Sequence, residues 1–214
     1  AFDFPIHAPG TYWMHAHTLQ EQNLLAAPLI VRSADDLKAD LQEIVILLHD
    51  FSFTPAEELL GRLTGGKAMN HGMMNQGDMG TMDMGTMDMG NMGDMGAMNH
   101  MGGMDLNDIN YDAYLANDRT LDDPEVTQVD KGGRVRLRII NGAASTAFSI
   151  STGALAAELV AGDGKPVIAV SGHLFQISMG QRIDLVLSIP KDGGAFPILA
   201  LREGAVERTG IILA

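Results

Sequence analysis

Cysteine is absent from the 214-residue chain, which excludes disulfides, thiolate zinc sites and thiol nucleophiles within it. Basic residues are scarce, 14 Lys and Arg against 27 Asp and Glu, leaving a formal charge of −13. An acidic surface has no electrostatic grip on phosphate backbones, so nucleic acid is not an expected partner. Long apolar runs are missing as well. Short stretches such as Ile44–Leu48 fall far below the ~20 residues of a membrane-spanning helix, so no such span is expected. The opening residues from Ala1 hold no initiator Met, no basic segment and no apolar leader core, and a mature or truncated N-terminus is expected. What is there, 46% hydrophobic residues over this length, is enough to bury the core of one or two globular domains.

The periodicities are those of strands. Tyr12–His17 and Pro28–Arg32 read as two strands around a polar loop, too few residues to make a domain alone. A polar, acidic stretch follows and reads as a linker over 34–41. Ile44–Leu48, apolar throughout, predicts a strand buried on both faces. Pro55–Leu60 predicts a short helix, with Thr54 as N-cap and early acids suited to the helix dipole. Beyond Asn110, Arg134–Ile139 alternates at period two, and Leu159–Ala161 runs through Asp163-Gly164 into Val167–Val170 as a hairpin. Ile183–Leu187, Phe196–Ala200 and Thr209–Leu213 complete a series of short strands, so the fold class is all-β, a sandwich.

Fifteen methionines are present, and 13 of them fall within residues 69–104, where Thr81–Gly85 repeats as Thr86–Gly90. Glycine every few residues and no strand-formers beyond threonine argue against a packed element, so a flexible insertion is expected. Thioethers are soft ligands that prefer Cu(I). Met82, Met84, Met87 and Met89, with His71 and His100 at the flanks, are spaced to wrap several donors around one ion, and Asp78, Asp83, Asp88 and Asp94 add a cation-attracting field. A silent insertion and an adaptable apolar contact surface are the alternatives.

His15 and His17 stand two apart in the first strand, which places both imidazoles on one face about 6.5–7 Å apart, with Trp13 beside them. Imidazole suits copper, iron, nickel or zinc, but His-x-His by itself is weak evidence for a site. The surrounding residues say more. Gly10–His17, followed by Gln20, Gln22 and the Ala27–Val31 strand, resembles the second copper motif of the multicopper oxidases. Tyr114–Arg119, Arg136–Asn141, Ala161–Val167 and Gly180–Asp184 resemble successive landmarks of the same family's second cupredoxin domain. The likeness is to bacterial copper-tolerance and laccase-like members. Three departures accompany it: Met14 replaces the usual tyrosine, Ala16 the serine between the histidines, and Ala26 and Ala27 the glycines before the closing strand.

The resemblance implies a cupredoxin-like Greek-key sandwich over 42–214 that carries the Met-rich insertion, preceded at 1–33 by the last strands of a first cupredoxin domain. It implies that His15 and His17 are ligands of the type-3 copper pair in a trinuclear cluster, with Trp13 as a rigid wall. The type-1 copper is expected in a further domain. The parent enzyme would oxidise Cu(I), other metal ions or phenols with dioxygen as acceptor, in the periplasm, while this chain alone would be inactive. Its partners are dioxygen, the reducing substrate and the remaining cupredoxin domains. The alternative is a non-catalytic cupredoxin-like protein that sequesters copper on the Met-rich segment.

Other residues draw plainer readings. His49 is expected to be a satisfied edge residue, and His7 and His173 to lie in turns. Arg182 and Asp184 share one strand face and Arg136 and Arg138 another, and ion pairs or solvated strand faces are expected to account for them.

Overall fold

A computed structural model describes residues 5–6, 8–64 and 109–214. Its strands in chain order are β1 (Gly10–His15), β2 (Ala26–Val31), β3 (Gln42–Phe51), β4 (Ala113–Ala116), β5 (Val126–Thr127), β6 (Arg134–Asn141), β7 (Phe148–Ser151), β8 (Ala157–Gly162), β9 (Lys165–Gly172), β10 (Leu174–Ile177), β11 (Arg182–Ser188), β12 (Phe196–Arg202) and β13 (Arg208–Leu213). They form a six-stranded sheet in the order β4-β3-β6-β11-β8-β9, a five-stranded sheet β10-β7-β12-β13-β5, and the separate hairpin β1-β2. Neighbours are antiparallel except β3 with β6 and β13 with β5. The all-β sandwich expected from the sequence is the fold observed.

The core lies between the two larger sheets. Ile44, Ile46 and Leu48 of β3, Leu137 and Ile139 of β6, and Leu185 and Leu187 of β11 meet Phe148, Ile150, Ile177, Ile198, Ile211 and Leu213 from the facing sheet. Side chains alternate across a strand, so these inward positions at i and i+2 leave Glu43, Arg136, Arg138 and Asp184 on the outer face of the six-stranded sheet. That face is not left to solvent. Strand β1 lies on β6 and β11, and β2 on β3, so the hairpin lids the charged stripe.

Charge has to be paired where water is removed. Arg138, with no exposed surface, bonds Glu43 through Nε at 3.0 Å and Asp184 through Nη1 at 3.1 Å. Arg136 bonds Asp184 and Asp36, each at 2.6 Å. Thr11 of the hairpin is also fully buried; it donates to Asp184 and accepts from Arg138. For Arg136, Arg138 and Asp184 the ion pairs are present and the solvated face is not, because β1 covers it, whereas Arg182 pairs with Asp163 and not with Asp184. Burial alone would push the carboxyls of Asp36 and Glu43 up. Ser33 and Arg136 around Asp36, and Arg138 and Arg32 around Glu43, outweigh burial and hold both below the usual carboxylate range.

The acidic stretch before β3 is built by a reciprocal cap. Ser33 N–H donates to Asp36, and Asp36 N–H to the Ser33 hydroxyl. The turn then delivers Asp36 to Arg136. Asn117 and Asp118 both take positive φ between Ala116 and Arg119. Asn117 anchors the turn by accepting from Leu47 N–H and donating to the Val45 carbonyl. The helix α1 spans Ala56–Leu63, not Pro55–Leu60, and Pro55 rather than Thr54 is its N-cap, with no side-chain capping bond. Pro55, extended at ψ 144°, supplies the carbonyl that Glu58 and Leu59 N–H groups find.

Candidate metal centre

The first strand ends at His15 rather than His17, because the chain turns into a single 3-10 turn at Leu19–Glu21. The row of rings survives. Trp13 stacks on His15 with centroids 4.0 Å apart and planes 7° from parallel. His17 lies on beyond at 4.5 Å from His15, tilted by 41°. Pairing of β1 with β2, His15 opposite Ala26 and Trp13 opposite Pro28, fixes the face on which these residues stand.

Loop 18–25 folds back on the strand end. Leu25 N–H bonds the Gln20 carbonyl and Ala16 N–H the Leu25 carbonyl, with Leu24 at φ 62° making the reversal. This brings Glu21 to His15, Oε1 to Nδ1 at 2.8 Å. A carboxylate only accepts, so Nδ1 carries the proton and Nε2 is left for another partner. Glu21 was not among the residues that the sequence pointed to. It stands six positions from His15 in a loop, and no periodicity links the two.

The orientation of the hairpin comes from the sandwich beneath. Arg182 Nε donates to the Thr11 carbonyl at 3.3 Å. Gly10, at φ 149°, passes so close to Gly164 that any Cβ would overlap its carbonyl oxygen, and Gly164 turns at φ 74° under the Tyr12 ring. The Asp163-Gly164 turn predicted for the β8–β9 hairpin is thus also a seat for β1.

His49 is not the satisfied edge residue expected. It sits in β3 between β4 and β6, is 2% exposed, and neither ring nitrogen has a hydrogen-bond partner among the described residues. Burial pushes its basicity down, opposed by the charges of Asp118, Asp50 and Glu21. Neighbouring Asp50 is buried but fully used, accepting from Ala144 and Ser145 N–H and the Thr146 hydroxyl. His173 lies exposed by the Gly153 carbonyl, in a turn as expected. His7, and the Met-rich residues Met82, Met84, Met87 and Met89 with His71 and His100, lie outside the described residues.

Neutral imidazoles with uncommitted nitrogens are sound donors to copper, and the two adjacent rings of His15 and His17 fit that ion as part of a donor set. They do not complete one. Among the described residues no group of three or more His, Asp or Glu is arranged to hold a metal. No helix among them is long and apolar enough to cross a membrane.

Comparison with known proteins identifies the family of the chain. The family model described as multicopper oxidase matches residues 42–213. Multicopper oxidase MmcO of Mycobacterium tuberculosis is 31% identical over 95% of this chain and 38% of its own length. Copper resistance protein A of Escherichia coli is 30% identical over 98% of this chain and 35% of its own. The chain thus spans little more than a third of these relatives. Among solved structures, Fet3p, described as a multicopper oxidase that functions in iron import, superposes with a TM-score of 0.69 at 12% identity, covering 97% of this chain and 34% of that one. The laccase of Botrytis aclada superposes with a TM-score of 0.66 at 18% identity, covering 96% of this chain and 35% of that one. These two show a shared fold.

Proposed function

The chain belongs to the multicopper oxidase family, and on that premise we propose that it is part of a copper-dependent oxidase to whose type-3 copper pair His15 and His17 contribute. Residues 1–33 form the end of a first cupredoxin domain, 34–41 a linker, and 42–214 a second cupredoxin domain that serves mainly as a spacer. The trinuclear cluster is completed, and the type-1 copper held, by further cupredoxin domains. The carrying observation is the row Trp13, His15, His17, in which two imidazoles adjoin and Nε2 of His15 is uncommitted.

Bound copper would supply the redox chemistry, taking single electrons from Cu(I), another metal ion or a phenol and reducing dioxygen to water with four of them. The residues of this chain bind and orient. His15 and His17 present nitrogen donors, Trp13 blocks one face of His15, and the buried network through Thr11, Arg138 and Asp184 holds the hairpin against the sandwich. We further infer that the Met-rich segment, with Met82, Met84, Met87, Met89, His71 and His100, recruits Cu(I) through soft thioether donors. A periplasmic location is consistent with the likeness to copper resistance protein A and with thioether copper handling.

The test uses the full-length protein carrying this chain. His15→Ala and His17→Ala should each lower copper content and abolish dioxygen consumption while the fold remains. Unchanged copper and turnover in both would overturn the reading. Substituting the segment's methionines by leucine should remove additional Cu(I) equivalents and leave the sandwich intact; unchanged Cu(I) uptake would dismiss the recruiting role. A sequestering protein without turnover would keep copper on that segment after loss of both histidines, and family membership favours the oxidase.

A further inference from the structure

Of the two histidines in the row, only one is held. His15 lies between the Trp13 ring at 4.0 Å and the His17 ring at 4.5 Å, and its edge is bonded by Glu21. His17 is exposed and has no hydrogen-bond partner among the described residues. Turning the His15 ring over by 180° would break the bond to Glu21, and swinging it aside would break the stack on Trp13. One orientation is left, with Nδ1 toward the carboxylate and Nε2 away from it.

The carboxylate is itself placed by backbone. Glu21 N–H bonds the Thr18 carbonyl at 2.9 Å, and the Glu21 carbonyl accepts from Leu24 N–H at 3.1 Å. These two bonds set Glu21 at the close of the 3-10 turn, so its side chain is aimed by the fold of loop 18–25.

We propose that Glu21 is the positioning residue of this metal centre: by accepting the Nδ1 proton of His15 it commits that imidazole to one tautomer and one ring orientation and presents Nε2 to copper. A carboxylate on the far nitrogen of a ligating histidine fixes the tautomer and raises the basicity of the ligating nitrogen. His17 has no such partner, so the two ligands differ in kind. His15 is set before the metal arrives, whereas His17 is ordered by it. This inference rests on the reading of His15 as a copper ligand.

The experiment compares Glu21→Leu, Glu21→Gln and His15→Ala in the full-length protein, with Cu(II) alone as probe. Copper retention is titrated against a chelator, and the His15 tautomer is read in the metal-free protein from long-range proton–nitrogen NMR, assigned by its loss in His15→Ala. Glu21→Leu should weaken copper retention by about 10- to 100-fold and let His15 populate the other tautomer. Glu21→Gln keeps an acceptor oxygen at the same reach, so it should restore the tautomer and most of the retention, which a fault in loop folding would not allow. Equal losses in the Gln and Leu variants with the tautomer unchanged would overturn the proposal, because Glu21 would then act through its charge or as a ligand. Loss of copper in His15→Ala with full retention in Glu21→Leu would overturn it while leaving His15 a ligand. Full retention in His15→Ala would remove the ligand reading and this proposal together.

Discussion

Thr11 donates its hydroxyl proton to Asp184 at 2.6 Å, joining the β1–β2 hairpin to the middle of the six-stranded sheet across 173 residues of chain. Arg138 donates to both of them, at 3.0 Å to Thr11 and 3.1 Å to Asp184. Thr11 is the hairpin's own member of this network, and its buried hydroxyl finds both a charged acceptor and a charged donor at this seat.

The first prediction concerns that network. Arg138→Met removes one member and leaves Asp184 and Glu43 short of a partner, which should cost about 3 kcal/mol, the low end for breaking a buried pair since Arg136 still reaches Asp184. The exposed pair Arg62 with Glu58 gives the contrast: Arg62→Ala should cost no more than about 0.5 kcal/mol. Denaturant unfolding of both variants would check the difference, and equal effects would refute the assignment.

Acid should destabilise the fold in two steps. His49 is held below its ordinary value by burial, so the unfolded chain takes up its proton first. Stability is full above about pH 6.5 and falls as pH drops through that value toward the folded one. Asp36 and Glu43 are also depressed; their contribution is present above about pH 4 and is lost as pH falls through their folded values. His49→Leu should flatten the first limb of a Tm-against-pH profile and leave the second, while Glu43→Gln should shrink only the second. A first limb that persists in His49→Leu would assign it to another group.

Backbone approach sets a third expectation. Gly10→Ala introduces a Cβ at φ 149° against the Gly164 carbonyl, a strain of about 1–3 kcal/mol. The hairpin should loosen before the sandwich does. Hydrogen exchange of β1 and β2 amides should quicken while those of β6 and β11 keep their protection.

On the proposed reading of His15 as a copper ligand, Trp13 would act on the metal through the ring it stacks on. Removing the stack with Trp13→Ala forfeits about 0.5–1.5 kcal/mol of ring contact, and copper retention by the full-length protein should weaken by about threefold to tenfold. Trp13→Phe should recover most of it. No change in Trp13→Ala would show that Glu21 and the backbone suffice to hold the ring.

Whatever depends on near neighbours was legible. The strand of Arg134–Ile139 is written in its alternation, the β8–β9 turn in Asp163-Gly164, and the row of rings in the spacing of Trp13, His15 and His17. Long-range coverage was not. Alternation marks Arg136 and Arg138 as one face of a strand but is the same whether water or a second layer lies over that face. Likewise His49 reads as the end of the apolar strand Ile44–Leu48, with nothing to say that the imidazole would be enclosed without a partner.

The sequence by itself determined an all-β chain, a His-x-His pair with Trp13 beside it and an acidic, cysteine-free composition, since each is set by composition or by residues within a few positions of one another. Only the tertiary structure decided that His15 is held by Glu21 while His17 is not, and that the motif hairpin is seated on a buried charge network. Those outcomes depend on where a loop turns back and on which sheet face the hairpin covers, and both are fixed by contacts between residues far apart in the chain.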